Sequence, residues 1–169
     1  DLIPFATSVS LSIGGDSADA LHLREPLLLA RQYGVTLGIK IGIGDSHPFA
    51  QRPVIGSPQQ LYHALLYQIG AGSLLVTLYK QKVTHIQLEE QLFDEIMGSP
   101  QHLLATLHAL RDGGERVGLS GAFPLLLPLE KEPQLADYFP LTRIAEEISI
   151  PLIPLLDLRR ESHFLNNGM

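Results

Sequence analysis

Polar and apolar residues alternate along several short stretches of this chain, and the alternation predicts strands. Residues 8–13 read Ser-Val-Ser-Leu-Ser-Ile, with every second side chain apolar, as in a strand that buries one face. Residues 35–41 and 83–88 are rich in β-branched residues and predict a second and a third strand. Short apolar runs at 117–119 and 153–156 predict two more. Candidate strands are therefore spread over most of the chain.

Apolar residues at helical spacing fill the intervals between these strands. Such a pattern covers residues 17–33, where Pro26 predicts a kink or a break. Ser57 and Ser99 each stand directly before a proline, a sequence that caps and starts a helix. A short helix is also predicted over residues 141–148. Because strands and helices alternate, the pattern predicts right-handed βαβ crossovers and an α/β fold with a parallel sheet or barrel.

The composition is that of one globular domain spanning residues 1–169. Six of the 12 prolines fall within residues 122–155, so this segment is predicted to be irregular. A formal net charge of −6 disfavours nucleic-acid binding, and the absence of cysteine excludes disulfides and Cys-based metal sites. No apolar run approaches the roughly 20 residues that span a bilayer, so we expect a cytoplasmic protein without a membrane span.

Charged and polar side chains cluster just after the predicted strands, where parallel α/β folds form their binding sites. Acids and a lysine at this edge could perform acid–base chemistry or hold a cation. Plainer roles remain open, because Asp16 would also cap a helix, and Glu89 and Glu90 would also favour a helix N-terminus. The candidates are Asp16, Asp19, Lys40, Asp45, Gln87, Glu89 and Glu90.

The seven histidines form neither an HxH nor an HExxH pattern, so the sequence predicts no metal site. His85 differs from the others because it lies inside a predicted strand, where it is either a hydrogen-bonded core residue or a catalytic one. Gly42 and Gly44 do not form a nucleotide-binding motif, and no nucleophile elbow indicates Ser-His-Asp catalysis. Motifs alone therefore do not identify a reaction.

Six sequence blocks resemble one known family, in the same order and with near-identical spacing. The most similar is SPQQLYHALLYQIGA at residues 57–71, against the family pattern S-P-E-E-V-Y-x-x-x-L-Y-Q-I-G-A. Residues 34–52 are similar to its G-V-x-I-G-A-H-P-S-F-P-D with F-G-R-R, and residues 83–94 to its V-x-H-V-K-P-H-G-x-L-Y-N. The other blocks are residues 4–23, 117–122 and 161–168. On these blocks the chain resembles the LamB/YcsF family, which contains the A subunits of 5-oxoprolinase.

The resemblance implies a fold, a reaction and partners. The implied fold is a deformed (β/α) barrel of the polysaccharide-deacetylase-like type. Family members work with two partner subunits to open 5-oxoproline to glutamate with ATP, so ATP is expected here only if that activity is retained. The family's first strand and last elements have no counterpart in residues 1–169, which predicts an incomplete barrel. We therefore expect a homo- or hetero-oligomer, in which a second copy or oxoprolinase-like subunits cover the open barrel edges.

The resemblance also assigns site residues by position, and several differ from those of the family. Histidine positions of the family are occupied by Asp16, Lys40 and Glu89, and its lysine position by a glutamine. Imidazoles move protons near neutral pH, and Asp, Glu and Lys do not readily replace them. The implied catalytic positions are Asp16, Asp19, Lys40, Asp45, His85 and Glu89, and the implied substrate-binding positions are Arg52 and Gln87.

Two functions compete on this basis. The loss of three imidazoles favours a non-catalytic binding or scaffold subunit of a complex. An active 5-oxoprolinase-like hydrolase, opening 5-oxoproline or a related lactam, would need the substituted residues to form a new acid–base set. A carbohydrate-active deacetylase-like enzyme is a weaker third hypothesis, because the chain lacks the Asp/His-x-x-x-His metal set that such an enzyme needs.

Overall fold

Five parallel strands form a single sheet in the computed structural model. The described residues are 3–13, 23–42, 56–117, 123–128 and 139–155. Each strand pairs with the next one in the chain, so the order in the sheet is the order in the sequence. The strands are β1 Ser8–Ile13, β2 Thr36–Ile41, β3 Val83–Leu88, β4 Leu125–Pro128 and β5 Leu152–Leu155. The predicted α/β class with a parallel sheet is therefore confirmed.

Two helices, α2 Pro58–Leu78 and α4 Pro100–Arg116, begin where a serine supplies a capping group. The α2 helix starts with a capping box: the Gln60 N–H donates to Ser57 Oγ (3.3 Å), and the Ser57 N–H donates to Gln60 Oε1 (2.8 Å). These bonds satisfy backbone groups that a helix start leaves without intrahelical partners. Ser99 caps α4 by accepting from the His102 N–H. The helices are α1 Arg24–Tyr33, α2 Pro58–Leu78, α3 Glu90–Met97, α4 Pro100–Arg116 and α5 Phe139–Glu147.

One face of the sheet is apolar and packs against helices. Each crossover connects neighbouring parallel strands, and right-handed crossovers of this kind place their helices on the same face of a sheet. Gly72 of α2 lies so close to Ile13 and Ile39 that a β-carbon at this position would overlap their side chains. The α4 helix packs along α2, with Gly113 against Ile69. The hydrophobic core therefore lies between this face of the sheet and the helices.

The α2 helix has the length and apolar character of a membrane-spanning helix. It contains 21 residues, and 33% of its most apolar window is buried inside the protein. Leu61, Leu65, Ile69 and Val76 are each at most 1% exposed and share one side of the helix. Packing into the core therefore explains the apolar residues on this side of α2.

Most predicted elements are confirmed, and two differ. Pro26 lies in the first turn of α1, where a backbone N–H has no intrahelical partner, so the helix continues through it without the predicted break. The part of that predicted helix that precedes residue 23 lies outside the described residues. The prediction of a strand at 117–119 was wrong for Val117, which is the turn residue after α4. The fourth strand instead follows Phe123, whose backbone N–H donates to the Leu110 carbonyl (3.2 Å).

The proline-rich segment 122–155 contains regular structure. β4, α5 and β5 all lie within it, and β4 and β5 pair in parallel from Leu125↔Leu152 to Pro128↔Leu155. Leu141 and Ala145 anchor α5 in the core. These short elements extend the sheet beyond β3, while residues 129–138 lie outside the described part of the chain. The single domain over residues 1–169 stays a prediction.

Candidate functional site on the polar face of the sheet

The sheet face opposite the core carries polar side chains along β1, β2 and β3. Paired residues of neighbouring strands point to the same side, so the register shows which residues share this face. Ser10 pairs with Gly38, which pairs with His85, and one step along the strands Ser12, Lys40 and Gln87 form the next row. We call this surface the polar face. It comprises Ser8, Ser10, Ser12, Lys40, His85 and Gln87.

The His85 ring lies across the middle strand, directly over Gly38. A β-carbon at position 38 would overlap the imidazole, so only glycine leaves room for the ring there. The Nε2 atom of the ring reaches β1, at 3.1 Å from Ser10 Oγ and 3.3 Å from Ser8 Oγ. The side chain is only 6% exposed. His85 is therefore a buried, hydrogen-bonded residue that connects three strands.

A bulge in β3 aims His85 at the polar face. Leu37 pairs with Val83, but the next residue of β2, Gly38, pairs with His85, so Thr84 is an extra residue between the two pairs. Side chains alternate along a strand, and an extra residue therefore lets Val83 face the core while His85 faces the opposite side. The Thr84 hydroxyl donates to the Leu37 carbonyl (3.0 Å) and lies 2.9 Å from His85 Nδ1.

Burial changes the proton affinity of this imidazole. Desolvation disfavours the charged form and lowers the pKa of His85 below its ordinary value of 6.5. The hydroxyls that contact the ring carry no charge, so they do not offset this loss of solvation as a carboxylate would. His85 is therefore neutral at physiological pH.

Lys40, Gln87 and Glu89 lie nearer the ends of the strands. Lys40 and Gln87 are paired and half-buried. The Glu89 N–H donates to the Ile41 carbonyl (2.8 Å), which continues the β2–β3 pairing, and the Glu89 carboxylate lies against Gly42. Glu89 occupies the N-cap position of α3 without a side-chain capping bond. Its carboxylate is therefore not committed to the helix end.

The structure brings four of the predicted site residues to one side of the sheet. His85 lies at the level of Gly38, and Lys40 and Gln87 form the next row. Glu89 follows at the carboxyl end of β3. Glu90 is the first residue of α3, and Asp16, Asp19, Asp45 and Arg52 lie outside the described residues. Within the described ranges, no group of three His, Asp or Glu side chains is close enough to hold a metal ion.

Sequence reasoning misses three hydroxyls of this site. It accounts for Ser8 and Ser10 only as the polar half of a strand pattern, and for Thr84 as part of a β-branched run. Their signal is present in the sequence, because three serines at every second position of β1 give a strand one continuous hydroxyl face. A strand face made of hydroxyls next to a strand that contains a histidine predicts hydrogen bonds between the two.

The fold and the polar face together define the class of protein. It is an α/β protein with strands in sequence order, helices on one face of the sheet, and a candidate site on the other. The chain belongs to the LamB/YcsF family, whose model matches residues 1–123. The predicted family is thereby confirmed.

Curated relatives are named as the A subunit of 5-oxoprolinase. The protein of this name from Nitrobacter hamburgensis is 38% identical over 87 residues, which are 51% of this chain and 34% of the relative. The protein from Geobacillus thermodenitrificans is 31% identical over 94 residues, which are 56% of this chain and 37% of the relative. The matched stretches thus span about a third of the length of these relatives.

A solved structure shows a similar fold. The lactam utilization protein from Thermus thermophilus superposes with a TM-score of 0.70 at 20% sequence identity. The match covers 90% of this chain and 56% of that one. At this identity the likeness concerns the fold alone.

Proposed function

We propose that this chain is a binding member of the LamB/YcsF family that holds a small polar acid on its polar face and does not open it. One observation carries the proposal: the polar-face imidazole, His85, is buried with both ring nitrogens within 3.3 Å of hydroxyl groups. A general base needs a nitrogen that can reach the substrate proton. His85 would reach a ligand only through the serines.

Lys40 is the residue that we expect to hold the acid group. Its side chain is half-buried in the row between Ser12 and Gln87, which offer a hydroxyl and an amide beside the ammonium group. An ammonium group next to neutral hydrogen-bond donors suits a carboxylate, and partial burial strengthens the interaction relative to water. The relatives are named for 5-oxoproline, which makes this carboxylate-bearing lactam the first ligand to test.

We also infer the finer form of the fold. A sheet with strands in sequence order and helices on one face has the arrangement of part of a (β/α) barrel, in which the polar face would line the interior. We propose an incomplete, deformed barrel of the polysaccharide-deacetylase-like type. Its strand edges at β1 and β5 would then be the surfaces that another chain covers.

Partners follow from the same reasoning. Because the relatives are named as subunits, we propose that this protein works within a cytoplasmic complex, formed with a second copy or with oxoprolinase-like subunits. Light scattering of the purified chain, alone and mixed with candidate subunits, is expected to give a mass above 18.5 kDa. A monodisperse monomer that binds none of the candidate subunits would contradict this part of the proposal.

Calorimetric titration with 5-oxoproline tests the binding function. We expect binding to wild-type protein and a loss of about tenfold or more in Lys40→Gln, since a charge-assisted contact would be removed. Lys80→Gln, at an exposed lysine beyond the end of α2, is the control and is expected to bind like wild type. Equal affinity in both variants would contradict the role of Lys40.

An ATP-dependent turnover assay tests the absence of catalysis. With candidate partner subunits and 5-oxoproline present, we expect no conversion to glutamate above the rate of the partners alone. Conversion that depends on this chain, and that is abolished by His85→Ala, would overturn the non-catalytic proposal. It would establish instead the active hydrolase, with ATP as co-substrate.

A further inference from the structure

The hydrogen bonds around His85 have a direction that can be derived from one carbonyl group. Thr84 Oγ1 lies 3.0 Å from the Leu37 carbonyl oxygen and 2.9 Å from His85 Nδ1. A carbonyl oxygen can only accept, and a hydroxyl has one proton to donate. The Thr84 proton therefore belongs to the Leu37 carbonyl, and the Thr84 oxygen must accept from a proton on Nδ1.

A neutral ring with its proton on Nδ1 has a lone pair on Nε2. That lone pair accepts from the nearer hydroxyl, Ser10 Oγ at 3.1 Å, while Ser8 Oγ lies 3.3 Å away. Ser10 commits its proton to the ring, and its oxygen keeps lone pairs for other partners. Ser8 is exposed and Ser10 is half-buried, so these lone pairs lie at the surface of the polar face rather than beneath it.

We propose that Thr84 is a positioning residue that fixes the proton of His85 on Nδ1 and thereby turns Ser10 into a hydrogen-bond acceptor that selects a ligand N–H group. Thr84 does not itself touch the ligand. It acts through the imidazole, because its contact with Nδ1 on β3 determines that Nε2 is the nitrogen that accepts from β1. With Lys40 holding a carboxylate in the next row, the polar face would accept an acid that also carries an N–H. This selectivity rests on the proposed binding function, whereas the position of the proton does not.

The position of the proton is tested without any ligand. Long-range ¹H–¹⁵N correlation spectra of the full chain are expected to show His85 with a protonated Nδ1 and an unprotonated Nε2 at neutral pH. Thr84→Val keeps the shape of the side chain and removes the hydroxyl, and is expected to move the ring proton wholly or partly to Nε2. Thr84→Ser keeps the hydroxyl and is expected to retain the wild-type spectrum. Thr77→Val is the matched control, because that hydroxyl also donates to a backbone carbonyl (Ser73, 2.8 Å) but lies on α2, which packs on the opposite face of the sheet.

Ligand selectivity is tested with two probes of nearly the same shape. 5-Oxoproline has a ring N–H, and 5-oxotetrahydrofuran-2-carboxylate has an oxygen in its place. Wild type and Thr77→Val are expected to prefer the lactam by about tenfold or more, because the lactone oxygen would face acceptor lone pairs. In Thr84→Val and Ser10→Ala this preference is expected to fall to about twofold or less.

Each outcome decides part of the proposal. A wild-type spectrum with the proton on Nε2 or on both nitrogens would overturn it, as would an unchanged tautomer in Thr84→Val. The same preference for the lactam in wild type and in Thr84→Val would overturn the selectivity. If neither probe binds, the binding function and the selectivity both fail, while the spectra still decide whether Thr84 sets the tautomer.

Discussion

Gly38 occupies a position where the size of a single side chain decides the packing of the site. The imidazole of His85 crosses this residue on its way from β3 to the serines of β1. Glycine in a strand interior normally weakens the strand, since it has no side chain to pack and loses more backbone entropy on folding. Here the space above Gly38 is filled by the ring of another strand. The histidine thus supplies the packing that residue 38 lacks.

Replacing Gly38 by alanine is expected to destabilise the protein by about 2 kcal/mol, because the new methyl group would overlap the His85 ring. Gly70→Ala is the matched control. A β-carbon at Gly70 meets nothing within 4 Å, and alanine stabilises a helix by about 0.5–1 kcal/mol relative to glycine. Urea unfolding followed by circular dichroism measures both changes. Equal free energies of unfolding for the two variants would show that the ring does not occupy this space.

At the scale of elements, α2 and α4 are connected by a hydrogen bond on the outer side of the molecule. The Tyr62 hydroxyl donates to Asp112 Oδ2 (2.7 Å), and Arg111 contacts the other carboxylate oxygen (2.9 Å). The Tyr62 bond lowers the pKa of Asp112, against the effect of partial burial, and raises the pKa of Tyr62 itself. The pair therefore joins α2 to α4 by a hydrogen bond to a charged group, beside their apolar contact.

Tyr62→Phe is expected to lower the free energy of unfolding by about 1 kcal/mol, because it leaves a half-buried carboxylate without its hydroxyl partner. Tyr67→Phe makes the same chemical change on the same helix at a residue that is 77% exposed, and is expected to be neutral. Chemical denaturation of both variants is the measurement. A cost for Tyr67→Phe as large as for Tyr62→Phe would mean that the hydroxyl of Tyr62 contributes nothing through Asp112.

Local sequence predicted the elements well where their ends are determined locally. The Ser57-Pro58 cap and the alternation in β1 are examples, since each depends only on neighbouring residues. The bulge at Thr84 could not be predicted, because it exists only relative to the register with β2. Likewise, the serines that bind His85 are 75 and 77 residues away in sequence. Such contacts depend on the pairing of strands, which local patterns do not specify.

At the scale of the whole molecule, the buried imidazole couples folding to protons. The pKa of His85 is lower in the folded protein than its ordinary value of 6.5, which applies to the unfolded chain. Between these two values the unfolded chain binds the proton and the folded chain does not, so stability falls as the pH decreases. The contribution of neutral His85 to the free energy of unfolding is fully present above the pKa of the unfolded chain. It is lost as the pH falls through the pKa of His85 in the folded protein.

Thermal unfolding of wild type and His85→Gln, compared between about pH 7.5 and about pH 5.5, measures this coupling. We expect wild type to be the more stable protein at the higher pH and its advantage to shrink on acidification. His63→Gln, at an exposed histidine of α2, is expected to show the pH dependence of wild type. An advantage of wild type over His85→Gln that stays constant or grows on acidification would contradict a neutral, buried His85.

The placement of the helices on one face of the sheet has a consequence for how such a chain can change over time. Along β2, Leu37, Ile39 and Ile41 belong to the core, whereas Lys40 points to the other side. A library of random substitutions in this strand should therefore show tolerance that alternates from one residue to the next, interrupted only at Gly38 beneath the ring. Substitutions at Lys40 would then change the polar face with little effect on the core, whereas Gly38 and His85 contribute to both the site and the stability. The row around Lys40 is thus where a chain of this fold could acquire a different ligand without repacking its core.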